Sequence, residues 1–352
     1  MKKQILFTFI LFFIVLCNHS YAQKTEELNT PKKVSKLFMS DELLPLKLSF
    51  SNKNIKKNTN DSTYIKTDLS YLTEKGTWDM LEVELRTRGK FRLENCYFPP
   101  VKIKIKKSAS KGTLFEGNKK LKLVLPCFGN NDRNDYIIKE YMAYKLFEAI
   151  SPYHFKTRLV DISFTEIKGK KTKIHELKGI LIEDDKKVAK RFDGKVSDRN
   201  VHPMGQEPVS SVRNAFFQYM ICNTDYSTMV QHNEKLLFIN KKFTPLPYDF
   251  DMSGLVDPSY GVVSVVNGEP LVSSINVRLY RGFKRDPKII EQVRKECLEN
   301  KIKLLSIVDS LAPYFDDPKE FSKAKNFISD FFDILHDDAK FQKEIIAKLR
   351  TK

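Results

Sequence analysis

The chain has 352 residues, 41% hydrophobic and 12% aromatic, enough apolar side chain to build a packed core and too much for a disordered segment. Its 61 Lys and Arg exceed its 44 Asp and Glu, for a formal charge of +17. The basic residues are spread along the chain beside acids and form no recognised nucleic-acid-binding motif. The composition therefore argues against a nucleic-acid partner and for a solvated basic surface whose field favours anionic ligands.

Lys2 and Lys3 precede the apolar run "ILFTFILFFIVLC", and "SYA" before Gln23 spaces small residues as an export cleavage site does, so residues 1–22 read as a signal peptide. Leu16 stands where lipid attachment at Cys17 would need a small residue, which favours soluble export, periplasmic or secreted. No transmembrane segment is expected after cleavage. Cys96, Cys127, Cys222 and Cys297 then lie in a compartment that permits disulfides, and none has CxxC or zinc-type spacing. Cys96 and Cys127 flank the same group of strands and are expected to pair, with Cys222 and Cys297 as buried thiols.

Residues 23–62 read as an N-terminal lead holding "LPLKLSFS" and the breaker-rich loop "SNKNIKKNTNDST". Residues 63–185 read as a strand-rich part. Leu81, Val83 and Leu85 alternate with charges, as do Val101, Ile103 and Ile105 and then Leu121, Leu123 and Leu125, the pattern of an antiparallel sheet with one buried face. Within it, Ile138, Met142, Leu146 and Ile150 recur at helical spacing. "TRLVDISFTEI" and "KGILIEDD" return to strands. Residues 186–352 read as helix-rich, with "VSSVRNAFFQYMICN", then a hairpin of "LLFIN" and "FTPLP", then helices from Pro287 onward. The layout is α+β with two lobes.

The segment "NTDYSTMVQHNEKLLFINKKFTPLPYDFDMSG" puts Asp225 after a helix, Asn233 before one strand, and Asp249 and Asp251 after the next. Uncompensated polar groups at such positions lower stability. Phosphoryl transfer uses this set: carboxylate and amide oxygens to hold a divalent ion against phosphates, and one carboxylate to take a proton from the attacking hydroxyl. The competing reading makes Asp225 and Asn233 turn caps and Asp249 and Asp251 a strand-end turn.

"NTDYSTMVQHN" and "PYDFDMSG", with "RTRGKFR" and "KLKLVLPC" upstream, resemble the CotH-type secreted atypical kinases and, more distantly, HipA-type kinases, over roughly residues 80–255. The resemblance implies a two-lobed protein-kinase-like fold with an antiparallel-sheet N-lobe and a helical C-lobe. It implies Asp225 as catalytic base and Asn233, Asp249 and Asp251 as ligands of Mg²⁺ or Mn²⁺. It also implies Lys102 as the strand lysine that grips the phosphates of ATP, with Glu140 as its helical partner. Arg88 is a candidate phosphate contact and Glu183 a candidate nucleotide contact. The implied function is an exported kinase acting on a hydroxyl of a secreted protein or envelope glycan. The alternative, favoured by the single glycine of "RTRGKFR", is a degenerate module that binds nucleotide, metal or envelope polymer.

Overall fold

Alternating apolar residues in the first half of the chain build strands, and those strands close on one another. The computed structural model describes residues 33–128 and 134–351. The expected signal peptide lies outside the described residues. Seven strands, β1 (Leu44–Phe50), β2 (Ile65–Leu72), β3 (Trp78–Thr87), β4 (Val101–Lys104), β5 (Lys120–Val124), β6 (Thr157–Lys168) and β7 (Lys171–Glu183), follow one another in the chain. On β1, β4 and the second half of β3 every second side chain is buried, as a two-residue period requires.

The strands pair in the order β1-β2-β3-β4-β5-β7-β6. The ring shuts where β1 runs parallel to β6, with Leu44 opposite Val160 and Phe50 opposite Glu166. Every other pairing around the ring is antiparallel.

This closed barrel overturns the expected two-lobed kinase-like fold with an antiparallel-sheet N-lobe. The physical reason lies in β1: an open sheet leaves a row of unpaired N–H and C=O groups at its edge, and pairing β1 with β6 removes that edge. The closing strand is "LPLKLSF", which the sequence places in the N-terminal lead.

Inside the barrel, Leu46, Leu48, Leu69, Val83, Leu85, Ile103, Leu121, Ile162 and Leu181 form one apolar cluster fed by all seven strands. Each fully buried Leu, Ile or Val contributes roughly 1.5–3 kcal/mol. Three short helices decorate this half: α1 (Asn52–Asn58), α2 (Phe91–Asn95) and α3 (Lys107–Ser110). Helix α1 occupies the stretch read as a loop, because Ser51 caps it by accepting from Asn54 N and Ile55 is fully buried beneath it. A disulfide joins Cys96, at the end of α2, to Cys127 beyond β5, with the two Cα atoms 4.5 Å apart.

The second cluster packs helices against the outer face of β5, β6 and β7. It takes Val124, Leu159, Ile180 and Ile182 from those strands. The helices are α4 (Asn134–Ile150), α5 (Asp185–Arg191), α6 (Pro208–Met220), α7 (Pro287–Glu299), α8 (Lys301–Ser310), α9 (Pro318–His336) and α10 (Asp338–Glu344). One helix expected from Pro287 to Leu311 divides into α7 and α8 at Asn300, where ψ is 0°. Between α5 and α7 run β8 (Lys195–Ser197), β9 (Glu234–Ile239) and β10 (Lys242–Pro247), a three-stranded sheet in the order β10-β9-β8, and the short pair β11 (Val265–Val266) and β12 (Glu269–Pro270). Phe217 of α6 stacks near Phe147 of α4 and Phe250 after β10, which seats the β9–β10 hairpin against both helices. Cys222 and Cys297 are buried thiols. Among the described residues no helix is long and apolar enough to cross a membrane.

Candidate functional site

The exit of α6 places the first site residue. Cys222 takes a left-handed conformation, φ 53°, its N–H donates to Tyr219 O, and Asn223 N donates to Gln218 O. This pair of bonds is the Schellman stop, with a cysteine in the position glycine usually fills. Gly254 lets the strand exit pass close by: its N–H donates to Cys222 O, and a Cβ on it would fall 2.6 Å from Ile275 O.

Beyond this turn both backbone groups of Asp225 and the carbonyls on either side of it are held. Asp225 N donates to Asn223 Oδ1 at 2.9 Å, and Asn233 Nδ2 donates to Asp225 O at 2.7 Å. Arg281 Nη1 donates to the carbonyls on either side, Thr224 O at 2.6 Å and Tyr226 O at 2.7 Å. The carboxylate is pinned as well. Oδ2 accepts from Asn233 Nδ2 at 2.9 Å, and Oδ1 lies 3.0 Å from His232 Nε2. The hydrogen bond to Asp225 raises the His232 pKa above its ordinary 6.5.

At the mouth of the hairpin, Tyr248 N donates to Asn233 O and Asp249 N donates to Tyr144 Oη at 3.0 Å. Asn233 and Asp249 both sit at positive φ, 51° and 64°. Asn and Asp tolerate this region best, yet two such residues at one hairpin mouth place local strain where the polar groups converge.

Asp249 is the electrical centre. Its charge acts on Arg92 of α2, Lys122 of β5, Glu140 and Tyr144 of α4, His232, Tyr248 and Asp251. Burial, then the Asp249 charge, pushes Asp251 up to about 6. Burial, then Asp251, pushes Glu140 up to about 8. Burial alone would make Arg92 shed its proton more readily; the charges of Tyr260, Asp251, Glu140 and Asp249 outweigh it and raise its pKa. Lys122 is pushed down to about 8 by burial and by the like charge of Arg88. Its Nζ lies 4.4 Å from the centre of the Tyr248 ring and 4.9 Å from that of Phe155.

These groups are incompletely satisfied. Arg92 Nε is 3.8 Å from Asp251 Oδ2, and Arg92 Nη2 donates to Leu125 O. Arg92 Nε and Nη1, Arg88 Nε and Glu140 Oε1 are buried without a hydrogen-bond partner. Native interiors rarely leave such atoms unpaired, and here four belong to Glu140 and the two arginines that act on it.

The structure thus brings together Asp225, Asn233, Asp249, Asp251, Glu140 and Arg88. Glu183 is not among them, and Lys102 is not the cation that acts most on Glu140. Lys102 lies on β4 with Arg86 and Lys122 as cross-strand neighbours, and the cations that act most on Glu140 are Arg92 and Arg88. Glu183 is turned to other partners, accepting from Lys156 N at 2.6 Å and pairing with Arg191. Arg92 and Arg281 were missed. Arg92 ends the segment "RTRGKFR", where the sequence gives it no role of its own, and "VRLYRG" around Arg281 carries no chemical signal.

Among the described residues no three His, Cys, Asp or Glu side chains are grouped to hold a metal ion. Two carboxylates and an amide oxygen, the groups on Asp249, Asp251 and Asn233, are of the oxygen type that Mg²⁺ takes, an ion that completes its shell with phosphates and water. No protein-family model matches the chain, and no curated protein matches it.

Proposed function

We propose that this site transfers a phosphoryl group from a nucleoside triphosphate, ATP in the first instance, to a hydroxyl of an acceptor outside the cytoplasm. The reading rests on the donor set and borrows nothing from a kinase-like fold, which the closed barrel excludes. The observation that carries it is the ring of buried, unpartnered cationic and acidic atoms around Asp249, with a pinned, half-exposed Asp225 at its rim.

Arg88, Arg92 and Lys122 supply positive charge to a phosphate chain; the guanidinium groups do so with free N–H donors. Asp249, Asp251 and Asn233 would hold Mg²⁺ or Mn²⁺, whose charge neutralises phosphate oxygens and draws the carboxylates out of mutual repulsion. Asp225 accepts the proton of the acceptor hydroxyl. The hydroxyl oxygen bonds the terminal phosphorus, the bond from that phosphorus to its bridging oxygen breaks, and the nucleoside diphosphate leaves with the electron pair. His232 and Asn233 fix both oxygens of Asp225, so its orientation is set before an acceptor arrives.

The test is a thermal-shift titration with ATP and Mg²⁺ or Mn²⁺, since a ligand of the native state raises the melting temperature. Asp249→Ala should abolish the metal-dependent shift. Asp225→Ala should keep the shift and lower transfer to an acceptor by on the order of 10³-fold or more, because base and electrostatics act in the transition state. Equal transfer by wild type and Asp225→Ala would remove Asp225 from the chemistry.

A second reading, a nucleotide-binding module without turnover, is favoured by one observation: both Asp225 oxygens are already engaged. Wild-type protein that binds ATP and transfers nothing to any acceptor or to itself would establish that reading.

A further inference from the structure

Helix α6 carries amides on the face it buries. Asn214 is 1% exposed, Gln218 0%, Asn223 just beyond the helix 1%, and Glu234 at the start of β9 0%. A buried amide without partners costs roughly 1–3 kcal/mol, so this many persist only if they satisfy one another.

The amides do so in a single file that ends on Glu234, whose Oε1 has no hydrogen-bond partner. Asp225 N donates to Asn223 Oδ1 at 2.9 Å, and Asn223 Nδ2 donates to Gln218 Oε1 at 2.9 Å. Gln218 Nε2 donates to Asn214 Oδ1 at 3.4 Å, and Asn214 Nδ2 donates to Glu234 Oε2 at 2.7 Å. All four donors point the same way, from the Asp225 backbone toward the Glu234 carboxyl, so each bond polarises the next. Asn214 and Gln218 are one helical turn apart and share a face. The two ends of the file are the two ends of the site loop, for Asn223 lies just before Asp225 and Glu234 directly follows Asn233. Apolar residues of similar volume would pack α6 at least as well, and buried polar groups are retained best where they set a register.

We propose that Asn214, Gln218 and Asn223 are positioning residues: their amide file ties the Asp225 backbone through the buried face of α6 to the start of β9, and so holds Asp225 and Asn233 in one mutual geometry. The meaning of that geometry for catalysis rests on the phosphotransfer reading; the geometry itself does not.

The experiment is amide exchange and chemical shift of the Asp225 N–H, read by NMR on the labelled full chain without nucleotide. Gln218→Leu removes a residue that does not touch Asp225. It should nevertheless speed exchange of the Asp225 amide by about tenfold, the worth of one hydrogen bond, and move its proton resonance. The amides inside α6 should stay protected. Gln218→Glu in mildly acidic buffer should restore the signal, because a protonated carboxyl offers the same donor and acceptor as the amide. An unchanged Asp225 amide in Gln218→Leu overturns the proposal, as does acceleration shared equally by all core amides, which reports general loosening. If Gln218→Leu does not fold, Asn223→Ala takes its place, and retained protection of Asp225 there overturns the proposal equally. An absent ATP-dependent thermal shift in wild type would sink the phosphotransfer reading and leave the exchange result standing.

Discussion

Two buried glutamates at seams between the barrel and the helices are treated in opposite ways. Glu183, at the end of β7, has its Oε1 shared between Lys156 N and the Arg191 guanidinium. Glu140, in α4, keeps an unpartnered Oε1 beside arginines whose Nε groups also lack a hydrogen-bond partner. The chain closes the first seam with its own residues and leaves the second with donors and acceptors that a ligand can satisfy. Burial of a charge therefore does not distinguish a site from scaffold; the second seam differs in gathering several incompletely paired charges in one place.

The comparison breaks most sharply at Arg191. Arg191→Met leaves Glu183 buried without its cation and should cost about 3–5 kcal/mol, read from the urea midpoint. A loss below about 1 kcal/mol would show that the closed seam is not held by this pair. Reduction of the Cys96–Cys127 disulfide comes next. It opens a loop spanning 31 residues and should cost about 3.7 kcal/mol. Because Cys96 ends the helix that carries Arg92, it should also weaken the nucleotide-dependent thermal shift.

Smaller effects sharpen the contrast. In the fold Glu140 keeps its proton to about 8, whereas the unfolded chain releases it near 4.5, so this group makes the fold less stable as pH rises between those values. Glu140→Gln should flatten that slope and change stability by less than about 1 kcal/mol at the acid end, where the wild-type carboxyl is neutral too. Lys122 gives the mirror case. Its folded pKa of about 8 lies below the unfolded 10.5, so it opposes folding fully below pH 8 and ceases to do so as pH rises to 10.5. Lys122→Met should remove that rise. Unchanged pH profiles in both variants would show that the open seam is wetter than its geometry says.

Local signals made part of this legible. Alternation revealed β3, β4 and β5, and four-residue spacing revealed α4, because each pattern is written within one segment. Asp225, Asn233, Asp249 and Asp251 could be read from their order around one helix exit and one hairpin. Barrel closure could not, since β1 meets β6 at a separation of 116 residues, as at Ser49 and Thr165, and parallel pairing has no turn to announce it. Lys102 is the lysine the resemblance implies, and strand alternation cannot separate it from Lys122, which stands directly across from it on β5. Arg92 and Arg281 reach the site from a five-residue helix and an irregular segment, where no periodicity exists to place a side chain.

The parallel seam also sets an order of assembly during synthesis. The strands β1, β2 and β3 can pair as a meander soon after they emerge, but the outer rim of β1 has no partner until β6 is made. At about 5–20 residues per second that interval lasts roughly 6–20 seconds on the ribosome. For that time the nascent chain displays a strand rim ready to recruit any other extended polypeptide, and only the arrival of β6 shields it. The barrel thus reaches its final topology late, and a holding factor acting on the nascent or translocating chain would have its natural target in residues 44–50.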